Sequence, residues 1–224
     1  KQIKQITKEF ESKYENLEFD TYIDTSIWIK NRLNTVVSNI LFGLILLFFT
    51  LCFFINLRVA IVVAMGIPTS FMIGLIFFFF FGYSLNMLSL LGALIALGML
   101  VVEDIVVGEN IYRHLEMGKD RFTAARDGTL EMYPAVLTAT ATTIFAFLPI
   151  LLMTGEVGKF MQILPIMITI LLLSSLFEAF LFLPLHSKEI LRVSKGKRNS
   201  HKVWEFNYKL YENILSFLLK GKYL

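Results

Sequence analysis

Residues 98–110, GMLVVEDIVVGEN, set two neighbouring acids, Glu103 and Asp104, inside an otherwise apolar run. A charge near the centre of a bilayer costs at least about 2.5–3.5 kcal/mol. Acids at such depth mark proton or ion paths more often than they serve as structural glue. Glu103 lies ten residues before Arg113, the first basic residue at the end of its run. That is about 15 Å of helix, half the hydrocarbon thickness. Adjacent helix positions differ by about 100°, so Glu103 and Asp104 must face different neighbours. Glu178, in a later apolar run, lies eight residues before His186 and reaches a similar depth, with Ser174 and Ser175 one turn back on its own face. The stretch TATATT, residues 138–143, adds hydroxyls. Thr138, Thr142 and Thr143 can bond back to their own helix or donate across to a carboxylate. Such a set can take up and release protons: Glu103 and Asp104 are the candidate relay, and Glu178 and the threonines its candidate neighbours.

The elements that must position these residues follow from hydropathy. Of 224 residues, 56% are hydrophobic and 22 are Phe, above the roughly 45–50% apolar content of a soluble domain. Five runs, at about 39–57, 59–83, 85–111, 133–153 and 160–185, reach the ~18–20 residues that span a bilayer. The fold class is therefore all-α, a polytopic bundle of five transmembrane helices over 38–190. An interfacial helix at 25–37 precedes it, opening on Thr25 or Ser26 and carrying Ile27, Trp28, Leu33 and Val37 on one face. Residues 1–24 are polar and read as extramembrane. The tail, 191–224, reads as a basic linker and a second amphipathic helix, with Trp204, Tyr208, Tyr211, Leu215 and Leu218 at spacings of three and four. Pro134 suits the first turn of the fourth span, whereas Pro68 and Pro165 fall inside spans and should kink them. Gly92 and Ala96 give a small-residue strip for close helix approach on the Glu103 side.

Basic residues concentrate in the loop 112–132 and after 185, while the opposite side has only GYS and TGEVGK. The positive-inside rule places both basic segments in the cytoplasm and residues 1–37 outside. The net charge of +3 is too small to argue for nucleic acid. Cys52 is the single cysteine, so no intrachain disulfide forms. No enzyme motif of the HExxH, CxxC, GxSxG or GxxxxGK[ST] type occurs, so no enzymatic activity, cofactor or metal is expected. The histidines His114, His186 and His201 read as surface residues at the cytoplasmic boundary. An intramembrane aspartyl protease would need two aspartates on separate helices in a glycine-flanked motif that is absent. The chain begins at Lys1 without a signal peptide, and is expected to be a piece of something longer.

The block GMLVVEDIVVGENIYRHLEMGKDRFTAARDGTLEMYPAVLTATATTIFAFLPILLMTGEVGKF, residues 98–160, resembles the hydrophobe/amphiphile efflux branch of the resistance–nodulation–cell division (RND) transporters. DTS before the first span, NLR after it, SLNMLSLLGALIALGML and SLFEAFLFLPLHS fit the same family. The resemblance implies a proton-driven efflux transporter of the bacterial inner membrane, with the five spans as helices two to six of a twelve-helix bundle. Residues 1–24 would end a periplasmic porter domain. It also implies a second half as partner, a periplasmic adaptor, an outer-membrane channel and a homotrimer. The family reads G-x-x-V-D-D-A-I-V-V where this chain has GMLVVEDIVV. Val102 thus stands on the first acid, Glu103 on the second and Asp104 on the alanine. Two readings stay open: Glu103 alone carries the proton, or Asp104 stands in for the missing acid. A degenerate, non-pumping membrane scaffold that anchors a partner is the alternative function.

Overall fold

Two side-chain caps fix where the central pair of helices begins. Asn86 accepts hydrogen bonds from the backbone N–H groups of Leu88 and Ser89, both at 2.9 Å, and the Ser89 hydroxyl accepts from the Asn86 N–H at 2.7 Å. This reciprocal box satisfies donors that the first turn leaves without intrahelical partners. Asp120 does the same for Phe122 and Thr123 at 3.1 Å each. Bonds from the hydroxyl and amide of Thr123, followed by the Phe122 amide, hold its carboxyl below the usual aspartate range. Gly118, at φ +89°, makes the left-handed turn between the two helices.

The structure, a computed structural model, describes residues 26–54, 57–192 and 211–219, together with residues 6, 7, 10 and 13. Helix α1 runs Ser26–Phe54, α2 Leu57–Phe80, α3 Met87–Glu116 and α4 Arg121–Leu151. Beyond them α5 (Gly155–Met161), α6 (Ile163–Phe177), a π-helical turn (Glu178–Phe182) and α7 (Leu183–Ile190) follow one another with no strand or loop between. Five helical segments are long and apolar enough to cross a membrane, the last being Gly155–Ile190. The chain is an all-α, multi-pass membrane protein.

Boundaries differ from the expectation in three places, each for a local reason. The expected interfacial helix and first span are one continuous helix, because nothing in RLNTVVSNILF breaks it. The fourth span starts at Arg121, twelve residues before the hydrophobic run, because the Asp120 cap nucleates it inside the supposed loop. Pro134 consequently lies within α4, not in its first turn. Pro165 sits in the first turn of α6, where its missing N–H costs little, while Pro68 does lie inside α2. Trp204 and Tyr208 of the expected tail helix lie outside the described residues. Residues 211–219 are helical, with Tyr211, Leu215 and Leu218 exposed.

Helix α3 is the centre of the bundle, touching α1, α2, α4, α6 and α7. Its contact with α6 is close because Gly92 has no side chain: a Cβ there would lie 2.9 Å from the Leu164 carbonyl oxygen. Ala96, one turn on, is fully buried, so the small strip works as expected. At the opposite end Gly128 lets α4 approach α3, a Cβ there falling 2.7 Å from Ile111 Cα. The outer faces carry exposed Phe42, Phe49, Phe53, Phe80 and Phe145, as a lipid-facing surface should.

Candidate functional site

The two close approaches press α4 and α6 onto the middle of α3, where Glu103 and Asp104 lie. Both acids are buried, Asp104 completely. Their neighbours differ as the 100° between them demands. Glu103 accepts a hydrogen bond on each oxygen: Thr140 of α4 donates to Oε1, and Ser175 of α6 donates to Oε2 at 2.6 Å. Three helices therefore meet at one carboxyl. Thr140 has a second acceptor, the Val136 carbonyl one turn back at 3.0 Å. Its single hydrogen can serve only one acceptor at a time.

Asp104 turns toward α2 and the π-helical turn. Glu178, also fully buried, meets it there. A Cβ built on Gly66 of α2 would lie 2.7 Å from Asp104 Oδ2 and 3.0 and 3.1 Å from Glu178 Oε1 and Oε2. Both acids thus converge on the bare backbone of Gly66. The carbonyl of Gly66 is already taken by the Ser70 hydroxyl at 2.8 Å. Among the described residues no donor reaches any of the four carboxyl oxygens, and each acid bears on the other. The π-turn starts at Glu178, whose carbonyl accepts from the Leu183 N–H five residues on. Pro184 has no N–H to offer the regular ladder there, and such single π-turns recur at functional sites.

The remaining candidates fall elsewhere. Thr138 and Thr142 are exposed and Thr143 half-buried, and all three donate to carbonyls in their own helix, those of Pro134, Thr138 and Ala139, at 2.7, 2.7 and 3.1 Å. Thr140, between them, is the one that reaches a carboxylate. Ser174 bonds back to Ile170, and Ser175, placed by sequence on the face of Glu178, serves Glu103 instead. His114 is not a surface residue: it is buried, and its Nε2 lies 2.7 Å from Glu131 Oε2. Asn110 donates to the same Glu131 oxygen and to the Gly128 carbonyl, tying the C-terminal part of α3 to the N-terminal part of α4. Among the described residues no cluster of three or more His, Cys, Asp or Glu could hold a metal ion.

Residues 1–224 match the model of the AcrB/AcrD/AcrF family. The multidrug resistance protein MdtC of Escherichia coli (strain K12 / DH10B) is 32% identical over 175 residues, covering 78% of this chain and 17% of the relative. MdtC of Shigella flexneri matches to the same extent. The swarming motility protein SwrC of Bacillus subtilis (strain 168) is 26% identical over 230 residues, 99% of this chain and 22% of the relative. The chain spans about a fifth of the length of these curated relatives. With five membrane helices, buried acids on the third of them and a family match along its full length, this chain belongs to the AcrB/AcrD/AcrF family of RND transporters.

Proposed function

We propose that this region is a proton-relay membrane domain of a proton-driven efflux transporter in the bacterial inner membrane, a transporter and not an enzyme. The observation that supports it is the seat of Glu103, where one buried carboxyl is held by hydroxyls from two other helices. Hydroxyls both donate and accept, so the same seat satisfies both protonation states. When Glu103 is ionised, Thr140 and Ser175 donate to its two oxygens. When it takes a proton, its own O–H donates to a hydroxyl oxygen, and the Thr140 hydrogen swings to the Val136 carbonyl. No group is left without a partner in either state, which keeps the cost of cycling low.

The change of charge alters how strongly α4 and α6 are held against α3. Such a change can bias a two-state rearrangement of the bundle. In this reading residues 1–37 and the GYS turn lie on the periplasmic side, and the basic segments lie in the cytoplasm. The second half of the transporter, a periplasmic adaptor, an outer-membrane channel and a trimeric assembly are the partners the family suggests. The likeness to MdtC, a multidrug resistance protein, suggests multidrug export.

The test is ethidium accumulation in cells expressing the full-length protein, with and without a protonophore. Wild type should keep ethidium out until the protonophore is added, and Glu103→Gln should not, at matched membrane expression. Ethidium exclusion by Glu103→Gln equal to wild type would rule the reading out. A wild type inert toward ethidium and a panel of other amphiphilic cations would favour the scaffold.

A further inference from the structure

The pair formed by Asp104 and Glu178 has no task in the cycle of Glu103, and its surroundings are unusual for two acids. Both side chains are fully buried, and all four oxygens lack a donor. The helices packed around them offer no counter-charge. Helix α2 presents Gly66, and its only titratable side chain is Arg58 in the first turn; α6 and the π-turn contain no titratable group besides Glu178. The titratable residues of α4, from Arg121 to Tyr133, occupy its first thirteen positions, and those of α7 are His186, Lys188 and Glu189. Helix α1 contributes Lys30, Arg32 and Cys52. Within α3 the nearest is Glu103, another acid, which also bears on Asp104; no basic side chain bears on either member of the pair.

Two bare carboxylates in such a place would each carry an unpaired buried charge and repel the other. Two neutral acids would each hold an O–H in need of an acceptor, and the acceptor each meets against Gly66 is the other acid. A single proton suffices to give an oxygen of each acid a partner: the O–H of one acid donates to the carboxylate of the other. That bond is of the charge-assisted kind, stronger than a neutral one. Gly66 makes the meeting sterically feasible, since any Cβ at that position would collide with both carboxyls.

We infer that Asp104 and Glu178 form a carboxyl pair that shares a single proton against Gly66, a second proton-binding site separate from Glu103. The balance is simple. The resting pair holds one proton and one negative charge; uptake of a second proton gives two neutral acids, and its release restores the shared state. A contribution to transport rests on the proton-driven reading above, but the existence of the pair does not. The two sites lie about 100° apart on adjacent residues of α3, so charge on Glu103 bears directly on Asp104.

Infrared spectroscopy of the purified full-length protein tests it without any transport substrate. At neutral pH a protonated-carboxyl band is expected that persists in Glu103→Gln. Asp104→Asn, and likewise Glu178→Gln, should shift the band without halving it, because the one proton then stays on the remaining buried acid, whose charge would have no partner there. Two separately protonated acids would instead lose half of the band in each single variant and all of it in the double variant, and that result would overturn the proposal. So would a band that disappears when sodium replaces choline at constant pH, since the site would then hold a cation. Wild type measured in the two salts needs no substitution, so the proposal stays falsifiable if a variant fails to fold. Should Glu103→Gln transport normally while the band behaves as expected, the transport reading fails and the pair stands.

Discussion

Glu103 and Asp104 are neighbours in the chain, yet the bundle gives them opposite surroundings. Glu103 has a hydroxyl donor on each oxygen, drawn from α4 and α6. Asp104 has no donor, only a second acid facing it from the π-turn across Gly66. The first seat can accommodate a charge or a proton by turning hydroxyls. The second can do so only by keeping a proton between two acids. One helical step of about 100° separates a seat that adapts its hydrogen bonds from one that depends on the proton itself.

The comparison breaks most visibly at Glu103. Glu103→Gln keeps shape and hydrogen bonding but cannot cycle, so proton-driven ethidium efflux should fall to that of the empty-vector control with insertion unchanged. Next in size is the loss of a donor. A hydrogen bond to a charged group is worth about 1.5–3 kcal/mol, so Thr140→Val should slow efflux roughly tenfold or more, and Thr140→Ser should restore most of it. If Thr140→Val pumps like wild type, the adaptable seat is wrong even when Glu103 itself is essential.

Glycine substitutions sharpen the structural side. Gly66→Ala forces apart two carboxyls and should destabilise the purified protein by about 1–3 kcal/mol, the usual cost of overpacking. Gly98→Ala, with nothing within 4 Å of its Cβ, should be neutral or stabilise by up to about 1 kcal/mol through helix propensity. Thermal unfolding in one detergent compares them; equal effects would mean that Gly66 is not the contact it is described as. The smallest effects belong to Thr138→Val, Thr142→Val and Thr143→Val, whose hydroxyls serve only their own helix. Each should leave efflux within about twofold of wild type, since such back-bonding contributes little. A loss as large as that of Thr140→Val would place the relay on the exposed face of α4.

Much of this was legible in the residues. The five spans follow from run length alone, and Gly92 with Ala96 announced a close helix approach on α3, though not that α6 would make it. The divergence of Glu103 from Asp104 followed from helical geometry before any neighbour was known. What was not legible depends on local chemistry that hydropathy does not record. The capping of α4 by Asp120 turned an apparent loop into helix, and with it the phase of TATATT, so Thr140 could not be told from its neighbours. Ser175 and Glu178 lie three residues apart and share a face on a regular helix. Three residues on, the helix has turned to about 60° from Ser175, enough for Ser175 to meet Glu103 while Glu178 meets Asp104. Gly66 carried no signal at all, because its role depends on two acids distant in the chain. His114 was misjudged because its partner Glu131 lay in the supposed loop.

One measurement bears most directly on the central claim that Glu103 takes up and releases a proton in the seat made by Thr140 and Ser175. It is the pH-difference infrared spectrum of the purified full-length protein, wild type against Glu103→Gln, recorded between acidic and alkaline conditions. The account predicts that wild type loses on alkalinisation a protonated-carboxyl component that Glu103→Gln lacks, over and above the band of the Asp104–Glu178 pair that both proteins keep, with the amide bands unchanged. A titrating carboxyl signal identical in the two proteins would contradict it.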